Sequence, residues 1–317
     1  MGPEWDPRRF RKAILAVAMS LALVAVGVSG CASHRNSTEP SHLFAADGPW
    51  RRVIASNPEL DPNSAAMIAA VQPTPQLFAN LVQYGIPVYA SNADTPTQAV
   101  NCTKLDYGIC PFAGWPVPIP SGAQPNSGSD AVMVTVDEAA GISFEFWRAF
   151  KRGDEWSTSF AAVNSIRGSG WGGAATGSGA SRLAGVVRIS DIAAGRIEHA
   201  LALQTNNACT TFRSPALKSD GRSGRDDCIP EGARLQLDPA IDLSTLKLTS
   251  GELAVATAMQ RYGGYVMDVG AAPLSVSFER DDSATSNSVG KTYQEAGFRW
   301  DYDAMEHIPW NELRVLK

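Results

Sequence analysis

Along most of the chain, apolar and polar residues alternate with the two-residue period of a β-strand. The runs IPVYAS (86–91), DAVMVTVD (130–137), ISFEFWRAF (142–150) and EWSTSFAAV (155–163) carry it, each bounded by turn residues. The last three lie close enough to form an antiparallel meander through Glu138–Gly141 and Lys151–Asp154. After the glycine-rich passage RGSGWGGAATGSGASRLAG (167–185), the period resumes in RIEHALALQ, ARLQLD, GYVMDVG and LSVSFER. Helical signals are few. Asp61 with Pro62 can start a helix running SAAMIAAV, and Thr74 with Pro75 repeats the arrangement, placing Leu77, Phe78, Leu81 and Val82 on one face before Gly85. Thr249 and Glu252 form a capping box ahead of LAVATAMQRY, closed by Gly263 and Gly264. Many short strands with a few short helices predict a mainly β fold, an antiparallel β-sandwich of jelly-roll type. No internal repeat points to a propeller or β-helix.

The first 48 residues do not share this pattern. Arg8, Arg9, Arg11 and Lys12 precede an uncharged run, Ala13 to Val28, that ends at Ser29, Gly30 and Cys31. This is the layout of a signal peptide, and the run is too short and too rich in small residues for a comfortable membrane span of about 20 apolar residues. Val28-Ser29-Gly30-Cys31 resembles the bacterial lipobox, which implies lipid on Cys31. The expected organisation is therefore a leader over 1–30, a lipidated cysteine with a polar tether over 31–48, and one sandwich domain over 49–317, held at the outer face of the cytoplasmic membrane.

The cysteines agree with that address. Setting Cys31 aside, Cys102 and Cys110, and Cys209 and Cys228, form two local pairs, each bracketing a turn-rich segment. Four cysteines allow three pairings, and the local one closes loops whose constraint is worth about 3 kcal/mol each. Zinc fails on spacing, since no C-x₂₋₄-C occurs.

The composition is 44% hydrophobic and 19% charged with a net charge of −5, and no basic stripe appears, which excludes nucleic acid as a partner. The glycine-rich passage holds neither a phosphate-binding G-x-x-x-x-G-K-[ST] nor a G-x-S-x-G nucleophile elbow, which excludes nucleotide as well. It reads instead as a cleft wall where backbone approaches a ligand or another strand. No cofactor is implied. Asp281 and Asp282, or Asp301 and Asp303, could hold a structural calcium ion, but their spacing lacks the rest of a calcium loop.

For chemistry, the alternation in ISFEFWRAF places Ser143, Glu145 and Trp147 on one face and Phe144, Phe146 and Arg148 on the other. With the phenylalanines as core, Glu145 stands beside Trp147 on the second face, a carboxylate next to a flat indole as sugar-binding clefts use. Asp130 and Asp137 flank the neighbouring strand and could supply a second carboxylate; as plain turn residues they would need no such role. His199 in RIEHALAL is either a hydrogen-bonded core histidine or a base, which Arg213, Lys218 and Tyr262 could complete as the neutraliser and acid of a polysaccharide lyase. Three functions stay open: a hydrolase or lyase acting on cell-wall or environmental glycan, a non-catalytic glycan- or envelope-binding protein, and a structural envelope protein.

The runs GSDAVMVTVD, FEFWRAF, GSGASRLAG, RIEHALAL, IPEGARLQLDP, MQRYGGYVMD and HIPWNELRVL, with the PA of SPALKSDG, resemble an uncharacterised family of secreted, largely actinobacterial proteins. The similarity covers about residues 50 to 317. It implies a jelly-roll-like fold of the kind found in glycan-active enzymes and an extracytoplasmic location, and it carries no reaction.

Overall fold

Two principal sheets organise the chain. In the computed structural model, which describes residues 43–71, 77–173 and 175–317, the larger sheet has six strands. Their spatial order is Phe78–Asn80, Ser275–Ser277, Leu201–Thr205, Gly264–Val269, Arg234–Leu237 and Leu313–Val315. The smaller has four, in the order Phe160–Ser165, Ile142–Trp147, Met133–Asp137 and Val88–Ala90. With 29% strand against 14% helix, the protein is mainly β and sandwich-like. Parallel neighbours occur beside antiparallel ones: Leu201–Thr205 runs parallel to Gly264–Val269 and antiparallel to Ser275–Ser277. The described residues form one compact unit.

Alternation along each strand assigns its residues to layers. Leu201, Leu203, Leu235, Leu237, Val266 and Val276 point from one face of the large sheet into a core shared with the helix Ser250–Arg261. Ala202, Tyr265 and Met267 point the other way, into a second core with Val134 and Val136 of the small sheet. The far face of the small sheet supplies Met133, Phe144 and Phe146 to a third core, closed by Phe112, Val117 and Trp156. The small sheet is therefore covered on both faces.

The expected meander is present: Met133–Asp137 pairs antiparallel with Ile142–Trp147, and that strand with Phe160–Ser165. A hairpin, Phe150–Arg152 with Glu155–Thr158, leaves the sheet between the last two. The capping box also forms, with Thr249 Oγ1 accepting from the Glu252 amide at 3.2 Å and Glu252 Oε2 accepting from the Thr249 amide at 2.9 Å. The helix after Asp61 spans Ser64–Ala70, starting at Asn63 rather than at Pro62.

The second predicted helix is not formed over its described part. Phe78–Asn80 is a strand, paired in parallel with Ser275–Ser277. Asp301 then captures the next three amides, Leu81 at 3.1 Å, Val82 at 3.0 Å and Gln83 at 2.8 Å, which an α-helix would have turned inward. Local helical spacing lost to a sheet edge and a distant carboxylate, neither visible in the segment itself. Thr74 and Pro75 lie outside the described residues, as do Cys31, the leader and most of the tether.

Both disulfides form, Cys102 with Cys110 and Cys209 with Cys228. They indicate an oxidising environment outside the cytoplasm. Among the described residues, no helix is long and apolar enough to cross a membrane.

Candidate functional site

Glu145 sits on a central strand, and cross-strand register puts it on the same face as Val134 and Ala162. That face looks into the layer between the sheets, so Glu145 is fully buried instead of standing in an open cleft. The glycine-rich passage seals it. Ser143 Oγ donates to its carboxylate at 2.9 Å, the Arg182 amide at 2.7 Å, and Ser181 Oγ closely as well. Burial raises its pKa, against the hydrogen bonds from Ser181, Arg182, Asn164 and Ser143. The assumption of one wet face failed because the small sheet packs on both sides.

The other expected residues disperse. His199 precedes its strand and is buried, with Nδ1 2.9 Å from the Ala200 carbonyl and Nε2 3.2 Å from Asp191 Oδ2. Arg213 donates to Asp61 at 3.0 Å, near the start of the helix Ser64–Ala70. Lys218 is exposed, and Tyr262 is buried at the end of the helix Ser250–Arg261 under the Arg261 guanidinium. Asp137 ends its strand at a turn, where its Oδ1 accepts from the Ala140 amide at 2.8 Å. Trp147 is half-buried, its ring stacked on Tyr107 and facing the Arg148 guanidinium. None of these six, nor Glu145, lines the large cavity, and no base, neutraliser and acid set assembles around His199. Asp281, Asp301 and Asp303 spend their oxygens on backbone amides, and among the described residues no group of three or more His, Cys, Asp or Glu is arranged to hold a metal ion.

One expected residue does reach a cavity. Asp130, on the loop leading into Met133–Asp137, lines a space of about 590 Å³. Its Oδ1 accepts from Trp147 Nε1 at 3.1 Å, so the indole orients a carboxylate instead of offering its face to a sugar. The large sheet contributes Asn80, Gln204, Ser275 and Ser277, already linked: Gln204 Nε2 donates to Ser277 Oγ at 2.9 Å, and Ser275 Oγ to Gln204 Oε1 at 3.0 Å. Tyr84 and Tyr302 add phenolic groups, and burial pushes the Tyr302 hydroxyl up to about 12.

Opposite polarity enters through Arg182 and Asp268, which also line the cavity. Arg182 comes from the glycine-rich passage and Asp268 from the end of Gly264–Val269; Nη1 and Oδ2 meet at 2.9 Å. Burial raises Asp268 to about 6, Arg182 opposes the rise, and the charges of Asp220 and Asp130 add to it. Glu231 is fully buried beside Asp220. Burial first, then the carboxyl contact and charge of Asp220 and the charge of Asp268, push it up to about 9.

Gly177 explains why the passage is glycine-rich at this point. Its amide donates to Asp268 Oδ1 at 3.2 Å, and a Cβ there would stand 2.3 Å from Asp220 Oδ1 and 2.9 Å from Asp268 Oδ1. The backbone runs directly over two carboxylates, which only a residue without a side chain allows. Sequence reasoning missed Asp268, Arg182 and Gln204. Asp268 interrupts the apolar run of GYVMDVG, and a carboxylate at such a position was the available signal.

No protein-family model, curated protein or solved structure matches this chain.

Proposed function

We propose that the protein is a glycan-active enzyme, anchored outside the cytoplasmic membrane by lipid on Cys31, with the cavity as its active site. One observation carries the reading: two carboxyl groups in unlike surroundings, Asp130 and Asp268, line the same cavity. Glycoside hydrolysis needs one carboxyl that still holds a proton and a second that is available as base or nucleophile. Asp268, raised to about 6, is the proton donor to the leaving oxygen. Asp130, oriented by Trp147, is the second carboxylate. Asn80, Gln204, Ser275 and Ser277 offer the neutral donors and acceptors that sugar hydroxyls require, and about 590 Å³ suits the end of a chain rather than a long stretch of it.

Reducing-sugar release across a panel of polysaccharides tests this, with absorbance of unsaturated uronates recorded alongside to detect a lyase. Asp268→Asn should lower release by about 10²–10⁴-fold with the fold retained, the usual weight of a proton-transfer group. Release that survives the substitution rejects the assignment. The anchor is tested separately: Cys31→Ser should abolish fatty-acid labelling and detergent-phase partitioning.

Binding without turnover is the second reading, and the Arg182–Asp268 ion pair favours it, because a carboxyl pinned at 2.9 Å is less free to give up a proton. Under that reading no polysaccharide is cleaved, while Gln204→Ala weakens retention on the glycan that binds.

A further inference from the structure

Three apolar side chains stand out on a single short loop. Between Cys102 and Cys110, Leu105 is 80% exposed, Tyr107 54% and Ile109 88%. Phe150, at the start of the neighbouring hairpin, is 58% exposed. In that three-stranded sheet Val100–Cys102 lies alongside Glu155–Thr158, whose other neighbour is Phe150–Arg152, so Phe150 stands two strands from the bridged cysteine. Tyr107 ties the loop down by stacking on Trp147 and meeting Phe160 edge-on.

Single exposed hydrophobics are ordinary, but a disulfide-closed loop that turns its aliphatic residues outward is not a by-product of a missing core. Phe112, two residues beyond the bridge, is 1% exposed, so the segment buries apolar groups where the core asks for them. The bridge also holds Leu105 and Ile109 in place before any contact, which lowers the ordering cost of binding. Four cations, Lys104, Arg148, Lys151 and Arg152, stand there against three acids, Asp106, Asp154 and Glu155. Lys104 lies over the Tyr107 ring, Arg148 over Trp147, and Lys151 over Trp156, with Asp106 the acid inside the loop. Arg152 is matched by Glu155 across the hairpin. This stands on a chain whose net charge is −5.

We propose that the Cys102–Cys110 loop, with Phe150, is a membrane-docking tip that inserts into the interface of an anionic bilayer. Leu105 and Ile109 enter the acyl boundary, Tyr107 and Phe150 sit at headgroup level, and Lys104, Arg148 and Lys151 meet the lipid phosphates. A projecting loop of this size offers too little area for a stable protein interface, which needs about 800 Å² per partner, whereas interfacial insertion needs only a few side chains. The proposal rests on the lipid-anchor reading for its setting. Eleven residues lie between Cys31 and Leu43, a reach of at most about 40 Å, which keeps the body close enough to touch the surface that holds it. Docking would also present the cavity at a fixed height, because Tyr107 stacks on Trp147 and Trp147 holds Asp130.

The test is photolabelling of the full acylated chain, reconstituted in vesicles of phosphatidylcholine with phosphatidylglycerol that carry a diazirine on the acyl chain, followed by peptide mapping. Label is expected on the peptides containing Leu105–Ile109 and Phe150. It should fall about five-fold for each cation removed in Lys104→Gln or Lys151→Gln, and should nearly vanish in Leu105→Ser/Ile109→Ser. Intact Cys102–Cys110 bridging and an unchanged melting temperature show that the double variant is folded. Label confined to the N-terminal segment, or equal labelling of wild type and double variant, overturns the docking tip. Fatty-acid labelling of Cys31 in the same preparation reports the anchor independently, so failure of one reading is not mistaken for failure of the other.

Discussion

Glu145 and Asp268 are both carboxyl groups that burial lifts above their ordinary pKa, and they end in opposite situations. Glu145 is fully buried, and Ser143, Ser181 and the Arg182 amide converge on it. Asp268 keeps 13% of its side chain exposed, has one guanidinium and one backbone amide as partners, and faces a cavity shared with another acid. Desolvation alone does not distinguish them. What separates the two is whether the surrounding donors have consumed the group, and one residue, Arg182, sits at the divide, its amide on Glu145 and its guanidinium on Asp268.

The contrast can be broken by substitution. Under the proposed hydrolase reading, Asp130→Asn should cost about 10²–10⁴-fold in glycan turnover with little change in melting temperature, because it removes a cavity carboxylate but can keep an acceptor for Trp147. Glu145→Ala should do the reverse. It strands the Arg182 amide and leaves a void between the sheets, for a loss of about 3 kcal/mol by chemical denaturation, with activity falling only in proportion to folded protein. Equal effects on turnover and stability from both substitutions would erase the distinction.

A titration sharpens it. Glu231 would titrate near 4.5 in the unfolded chain and holds its proton to about 9 when folded. Between those values the native state binds a proton that the unfolded state has released, so stability falls as pH rises, with a ceiling of about 1.4 kcal/mol per unit for this one group. Glu231→Gln should flatten the dependence of melting temperature on pH between about 5 and 9. An unchanged slope would mean that Glu231 is not the proton holder in the cluster with Asp220 and Asp268. The least of the expected effects is on binding: Gly177→Ala should weaken glycan retention a few-fold by pushing Asp220 and Asp268 apart, readable by calorimetry.

The strands were legible because their period is local: Met133–Asp137, Ile142–Trp147, Arg234–Leu237 and Gly264–Val269 each fall inside an alternating run. Both disulfides followed from spacing and from their likeness to closed turns. The layers did not follow. Alternation says that Glu145 and Phe144 face opposite ways, but whether one side is wet depends on what packs there, and the seal over Glu145 comes from residues 181 and 182. The cavity was hidden for the same reason. Asp130 could be singled out beside its strand, whereas its companions Arg182, Gln204 and Asp268 come from three distant stretches of chain.

The grip of Asp301 on Leu81, Val82 and Gln83 also bears on when the protein can fold. The partners lie up to 220 residues apart. Phe78–Asn80 pairs with Ser275–Ser277, so an early edge of the large sheet waits for the last part of the chain to be synthesised. Leu313–Val315, at the opposite edge, is later still. Until those residues emerge, Leu77, Ala79 and Leu81 have no complete shelter, and topology of this kind folds slowly. Strand order thus keeps the large sheet incomplete until nearly the whole chain is available, while the small sheet, built from residues 88–165, needs none of that later sequence.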